Sequence, residues 1–139
     1  MKVTERIRIG RPPGRVWDVL ADFGHLSRWA RNVDHSSLVT TQHEGVGAAR
    51  RVQVGRVVLI ERVVTWEPNA SLAYALEGLP VVRGVVNAWT LEDDGGATKV
   101  SLSSRIDANP VVGWVMGRVL ARDLRKLLAG LKSYAEAQA

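Results

Sequence analysis

The spacing of apolar and polar positions changes twice along the chain and divides it into three parts. The segment from Lys2 to Ile9 mixes apolar and charged residues and predicts a β-strand. From Pro12 to Trp29 the apolar residues recur at helical spacing, after a proline pair that suits a first helical turn. We therefore expect a first helix that ends at Gly24 and a shorter second helix from His25 to Ala30.

Short β segments separated by turn residues follow the helix pair and predict a meander. After them, the pattern changes at Pro110 to a helix of roughly 25 residues that ends near Glu136 and is longer than most helices. The predicted strands of the meander are Asp34–Thr41, Ala48–Val54, Val57–Trp66, Ser71–Leu76, Val85–Leu91 and Thr98–Ile106.

The predicted C-terminal helix is amphipathic, so its apolar stripe should cover the sheet and its basic face should lie in water. Asp123 lies at the edge of the stripe, where we expect an ion pair with Lys126, three residues further on. A basic amphipathic helix also suits a membrane surface, but covering the sheet accounts for the stripe. The stripe consists of Met116, Leu120, Leu124, Leu127, Leu131 and Tyr134, and the basic face of Arg118, Arg122, Arg125 and Lys132.

Composition and charge narrow the class of protein. The 139 residues, of which 46% are hydrophobic, suit one domain over residues 1–139. The absence of cysteine excludes disulfides and thiolate metal sites. Because neither a signal peptide nor an apolar run of membrane-spanning length is evident, we expect a cytoplasmic protein without a membrane span. The net charge of +5 comes with scattered arginines and no nucleic-acid motif, so we expect no nucleic-acid partner.

Two hairpins assign residues to the faces of the sheet. A two-residue turn at 55–56 places Arg50 directly opposite Glu61. If their face is internal, the two charges must pair or contact a polar ligand, because isolated buried charges are costly. If it faces solvent, they form an ordinary cross-strand ion pair. The other residues on that face are apolar: Ala48, Val52, Val54, Val57, Leu59 and Val63.

The second hairpin, with its turn at 93–96, directs Asn87 and Trp89 inward. Core packing is the default role for Trp89, whereas a buried Asn87 amide needs hydrogen-bond partners and is the better candidate for a site. The three histidines lack metal-ligand spacing, and no nucleotide-binding or catalytic motif is present, so we expect no metal and no cofactor. The pairs predicted on the inward face are Leu91 with Thr98, Trp89 with Val100 and Asn87 with Leu102.

Five segments in order resemble the START-like, helix-grip superfamily, which includes polyketide cyclase/dehydrases, lipid-transfer proteins and the birch-pollen-allergen group. They are PxxVWxxLxDFxxLxxW at 13–29, GVGAAR at 45–50, IERVVTWEP at 60–68, the acidic-Gly-Gly-Ala-Thr-Lys-Val turn at 94–100 and LKSYAEA at 131–137.

The resemblance implies an α+β helix-grip fold, with a seven-stranded antiparallel sheet wrapped around a long C-terminal helix and two short helices between strands 1 and 2. It also implies an internal cavity for an apolar ligand. Relatives commonly carry a polar group facing the cavity at the position of Glu61, which supports the internal interpretation of that residue. The loops at 45–47 and 78–84 would then flank the cavity mouth. The resemblance does not decide between binding and catalysis, because one fold hosts many functions.

Three functions fit these observations. The first is a carrier or sensor, monomer or homodimer, for a lipid, polyketide or terpenoid-like ligand. The second is a polyketide cyclase, aromatase or dehydratase, in which Glu61 is the general acid or base and Arg50 polarises a carbonyl. The third is a module that binds a partner through the basic helix face. The residues expected at the ligand are Arg50, Val52, Leu59, Glu61, Val63, Tyr74, Asn87, Trp89, Leu102, Leu120 and Leu124.

Overall fold

The computed structural model describes residues 1–79, 82 and 84–138. One strand and two short helices precede six further strands and a long C-terminal helix, in the predicted order. The elements are β1 (Lys2–Ile9), α1 (Pro13–Ala21), a 3₁₀-helix (Phe23–Arg28), β2 (His35–Leu38), β3 (Ala49–Val54), β4 (Val57–Glu67), β5 (Ser71–Glu77), β6 (Gly84–Asp94), β7 (Ala97–Asp107) and α2 (Pro110–Ala137).

The strands form one antiparallel sheet in the order β1-β7-β6-β5-β4-β3-β2. Strands β2 to β7 therefore pair in sequence order, while β1 pairs with β7 and forms the edge opposite β2. The long helix α2 packs most closely against β1 and β7. This is the predicted α+β arrangement, with a long helix on one face of a seven-stranded sheet.

The first helix ends earlier than predicted, and the second is a 3₁₀-helix that begins earlier than predicted. α1 stops at Ala21, and the 3₁₀-helix runs from Phe23 to Arg28 rather than from His25 to Ala30. Gly24 is therefore not a helix stop. It is buried against Leu38 of β2, and a Cβ at Gly24 would lie 2.8 Å from the Leu38 Cγ. The glycine is required for this close approach between helix and strand.

The two central hairpins differ in how well the sequence predicted their register. The β3–β4 register is confirmed, since Arg50 lies opposite Glu61 across the ladder. The predicted β6–β7 register is wrong by two residues: the observed pairs are Leu91 with Val100, Trp89 with Leu102 and Asn87 with Ser104.

The error in the β6–β7 register has a local cause. The strands continue to Asp94 and Ala97, because Gly95 and Gly96 adopt φ values of 61° and 91° and form a tight two-residue turn. Side chains alternate with a period of two along a strand, so a shift of two residues keeps every side chain on its predicted face. Asn87 and Trp89 are buried, as expected.

The C-terminal half of α2 supplies the helix contribution to the core. Leu124, Leu127 and Leu131 of the predicted stripe are buried, while the remaining stripe residues, Met116, Leu120 and Tyr134, are half-buried. The N-terminal half of α2 is more open, and Val111 and Trp114 are 75% and 65% exposed. Within the described residues, no helix combines the length and apolar character needed to cross a membrane.

Gly130 allows α2 to lie directly against the end of the 3₁₀-helix. A Cβ at this position would overlap the backbone carbonyl oxygen of Trp29. Backbone atoms cannot move aside as a flexible side chain can, so the contact requires a residue without a Cβ.

We predict that Gly130→Ala lowers the free energy of unfolding by at least about 2 kcal/mol, because the steric overlap outweighs the higher helix propensity of alanine. Gly113→Ala, in the same helix, is the matched control. The Cβ added there would meet Met1 Sδ at an ordinary 3.6 Å. Urea unfolding of both variants tests the prediction, and equal stabilities would contradict it.

Candidate functional site

A cavity of about 340 Å³ lies between the sheet and the N-terminal half of α2. Strands β3 to β6 form one wall, and the opposite wall comes from Val115 to Leu127 of α2. Most of the lining side chains are apolar. The exceptions are the buried residues Glu61, Tyr74 and Asn87 of the sheet, together with Asn32 and Asp123.

The ion pair between Arg50 and Glu61 is buried at the wall of this cavity. The Arg50 side chain donates from both Nε and Nη2 to Oε1 of Glu61, each at 2.7 Å, and the two side chains are only 3% and 8% exposed. Nη1 of Arg50 donates to the backbone carbonyl of Phe23 at 2.9 Å. The pair is thus internal, which decides between the two interpretations that the sequence left open.

Aromatic rings surround the Arg50 guanidinium as well. Its Cζ lies 3.7 Å from the centre of the Phe23 ring and 4.7 Å from that of Tyr74. Such cation–π contacts are strongest where the cation is desolvated. Arg50 is therefore held by Glu61, a backbone carbonyl and two rings, while Glu61 itself also lines the cavity.

Tyr74 connects the ion pair to a second polar group. The Trp89 indole N–H donates to the Tyr74 hydroxyl at 3.1 Å, and Asn87 lies directly across the ladder from Tyr74. Burial raises the pKa of Tyr74 to about 12, and the nearby Glu61 carboxylate acts in the same direction, against smaller opposing effects of Arg50, Trp89 and Asn87. Tyr74 therefore stays protonated at neutral pH.

The Asn87 amide is incompletely hydrogen-bonded. Its Oδ1 atom is buried and has no hydrogen-bond partner among the described residues. The Asn32 Oδ1, at the other side of the cavity, is in the same situation. Since buried polar atoms are usually paired, these two oxygens are the groups in the cavity most in need of a partner.

The structure brings most of the predicted site residues together on the cavity wall but places four of them elsewhere. Arg50, Val63, Trp89 and Leu102 lie in the packed core and do not line the cavity. Trp89 packs edge-to-face against Trp29, with ring centres 5.7 Å apart. The predicted residues on the wall are Val52, Leu59, Glu61, Tyr74, Asn87, Leu120 and Leu124.

Asp123 was missed as a cavity residue by the sequence analysis. The predicted ion pair with Lys126 is not formed in the described structure: Lys126 is exposed, and Asp123 lines the cavity instead. Its position at the edge of the apolar stripe was the available signal, because that edge of α2 faces the cavity over the sheet rather than water. Asn32, in the segment after the 3₁₀-helix, gave no such signal.

The cavity mouth differs in part from the prediction. The loop at 45–47 does not border the cavity, and the Gln42 side chain donates to the backbone carbonyls of Glu44 and Val46 within this segment. Leu79 of the second predicted loop does line the cavity. Residues 80, 81 and 83 of that loop lie outside the described part of the chain. Exposed side chains of Val57, Val115 and Val119 form an apolar rim.

A sheet that holds an apolar cavity beneath a long C-terminal helix defines a START-type ligand-binding fold. The chain belongs to the polyketide cyclase/dehydrase and lipid transport family, whose sequence pattern matches residues 1–136. Among curated protein sequences, none matches this chain.

Solved structures show the same fold. The chain is similar to a START superfamily protein from Mycobacterium smegmatis, with a TM-score of 0.82, 15% identity and 97% of each chain covered. It is similar to the Zhui aromatase/cyclase from a Streptomyces species, with a TM-score of 0.81, 20% identity and 98% and 93% coverage of this and that chain. An uncharacterised protein from Bacillus thuringiensis gives a TM-score of 0.81 at 15% identity, with 99% and 100% covered. At these identities the likeness shows the fold alone.

We predict that Glu61→Gln lowers the free energy of unfolding by about 3 kcal/mol, because it leaves the buried Arg50 charge uncompensated. The matched control is Glu77→Gln, since Glu77 pairs at 3.3 Å with Arg62, the neighbour of Glu61, but at an exposed position. That change should cost less than about 1 kcal/mol. Urea unfolding measures both, and a Glu61→Gln variant as stable as the control would contradict the prediction.

A second prediction concerns alkaline pH. The unfolded chain ionises Tyr74 near its ordinary pKa of 10.0 and the folded protein only near 12, so the folded state binds the proton more tightly. The contribution of this group is intact below pH 10 and is lost as the pH rises through 12, by up to about 3 kcal/mol.

The measurement is an absorbance titration of the folded Tyr134→Phe variant, in which Tyr74 is the sole remaining tyrosine. We expect ionisation near pH 12. A midpoint near pH 10 in protein that is still folded would contradict the prediction.

Proposed function

We propose that this protein is a carrier or sensor that binds a hydrophobic small molecule, lipid, polyketide or terpenoid-like, in its internal cavity. The observation that carries the proposal is a cavity of about 340 Å³ with mainly apolar walls and a few buried polar side chains on one wall. Pockets of this size and composition are typical of small-molecule sites, in which few polar groups orient a largely apolar ligand.

Different residues on the two walls would contact the apolar and the polar parts of the ligand. Val52 and Leu59 on the sheet and Leu124 on the helix would hold the apolar body of the ligand. Glu61 and Asn87 would contact its polar end. Arg50 is assigned a positioning role, because its interactions hold the Glu61 carboxylate at the wall rather than reach into the cavity.

Binding is better supported than the alternative of cyclase-type catalysis. That alternative draws on the family, and one similar structure is an aromatase/cyclase. It requires Arg50 to polarise a substrate carbonyl, yet the guanidinium is bonded to Glu61 and Phe23 and covered by aromatic rings. With Arg50 held by these contacts, the alternative lacks the carbonyl-polarising group that it assigns, whereas the binding proposal needs no such group.

The apolar rim explains how a ligand would enter. Val115 and Val119 of α2 both line the cavity and are about half exposed. A hydrophobic molecule would therefore remain in contact with apolar side chains from the surface to the interior, which lowers the cost of its transfer.

We predict that Leu120→Trp weakens binding of the fluorescent apolar probe phenylnaphthylamine at least tenfold, because the larger ring fills the cavity from the helix side. Val111→Trp is the matched control, since Val111 is on the same helix but 75% exposed and off the cavity wall. It should bind the probe as wild type does.

Native mass spectrometry of protein purified from its own host tests the same proposal without a chosen probe. We expect a co-purifying apolar molecule that the Leu120→Trp variant lacks. A wild-type protein that binds neither the probe nor a host molecule would refute the proposed function.

A further inference from the structure

The polar side chains that line the cavity differ in whether they have a free hydrogen-bond acceptor or a free donor. Asn87 is 7% exposed, and its Oδ1 is a buried acceptor without a donor among the described residues. Its cross-strand neighbours do not satisfy it, because neither Tyr74 on β5 nor Ser104 on β7 donates to it. A buried acceptor left unpaired is unfavourable, so this atom is set to receive a hydrogen bond from a molecule in the cavity.

Tyr74, beside Asn87, offers a hydrogen-bond donor rather than an acceptor. The hydroxyl oxygen accepts the indole N–H of Trp89, and the Asn87 side chain also bonds it and lowers the pKa of Tyr74, as an amide N–H donor does. Both bonds use the oxygen, so the hydroxyl hydrogen has no acceptor among the described residues. Tyr74 also lines the cavity and lies across the ladder from Asn87. One free donor and one free acceptor thus sit side by side on the same wall.

The charged side chains on the described part of the cavity wall disfavour an anionic ligand end. Glu61 and Asp123 both line the cavity. Among the described residues, Arg50 is the buried cation next to this wall, and it is already paired with Glu61 at 2.7 Å. A carboxylate or phosphate would bring a further negative charge to a wall on which the described residues place no unpaired cation, which is costly.

We propose that the polar end of the ligand is an uncharged hydroxyl, as in an alcohol, phenol or enol, which donates to Asn87 Oδ1 and accepts from the Tyr74 hydroxyl. The inference rests on the proposed function and specifies the ligand class of that cavity. A ketone or ether could accept from Tyr74 but would leave Asn87 unpaired. A hydroxyl satisfies both groups, because it is donor and acceptor at once.

Three probes with the same ring system separate these cases: naphthol, methoxynaphthalene and naphthoate. Calorimetric titration of the full chain should show that naphthol binds roughly tenfold more tightly than methoxynaphthalene, which lacks the donor. Naphthoate should bind more weakly than either.

Variants assign the preference to its residues. Asn87→Leu keeps the side-chain size and removes the acceptor, so naphthol and methoxynaphthalene should bind it equally well. Ser104→Ala is the matched control, because it also removes a buried unpaired oxygen, on the adjacent strand but away from the cavity wall. It should keep the tenfold preference. Tyr74→Phe should weaken both probes about equally and retain the preference, which gives a second readout if Asn87→Leu does not fold.

The outcomes are distinguishable. Equal binding of naphthol and methoxynaphthalene to wild type, or tightest binding of naphthoate, would overturn the hydroxyl assignment while leaving an apolar binding cavity. A naphthol preference that persists in Asn87→Leu would overturn it as well. If none of the three probes, nor phenylnaphthylamine, binds wild type, the proposed function itself fails and the inference with it.

Discussion

The buried Arg50–Glu61 pair is the interaction on which the arrangement of the site depends. It joins β3 to β4, and through the Phe23 carbonyl and ring it joins the sheet to the 3₁₀-helix. Removing an arginine and a glutamate from water is costly, and only multiple short hydrogen bonds and close aromatic contacts can compensate. These requirements restrict where Phe23, Tyr74 and the start of β3 can lie, so the charged pair specifies the geometry of the cavity wall.

From this pair a chain of polar contacts extends across the sheet. Glu61 lies beside Tyr74, Tyr74 accepts from Trp89, and Asn87 occupies the next position on the wall. Behind the wall, Arg50 donates to Glu61 and to the Phe23 carbonyl, and the Trp89 indole donates to Tyr74. Toward the cavity, the Asn87 oxygen has no hydrogen-bond partner within the described part of the chain, and the Tyr74 hydroxyl lies beside it. Arg50 and Trp89 thus donate within the core, and the cavity wall presents the polar groups of Tyr74 and Asn87 beside the carboxylates of Glu61 and Asp123.

The cavity itself exists because α2 covers the sheet unevenly. Its C-terminal half lies tightly against the rest of the core, with Gly130 touching the backbone at Trp29. Its N-terminal half packs less closely, and its exposed valines border the cavity instead. A helix in close contact along its whole length would leave no room for a ligand, whereas this one is anchored at one end and open at the other.

The sequence by itself determined the element order and the face of each strand. Alternation is local, so Arg50 and Glu61 were placed on one face, whose direction the sequence left open, and Asn87 was assigned inward correctly. Even the two-residue register error at Gly95 and Gly96 left the faces intact. Only the tertiary structure decided which inward residues reach the cavity and which, like Arg50 and Trp89, stay behind it. That distinction depends on how closely elements distant in sequence approach one another. Asp123 shows the same dependence, because it lines the cavity left between α2 and the sheet, which its neighbours in the helix could not reveal.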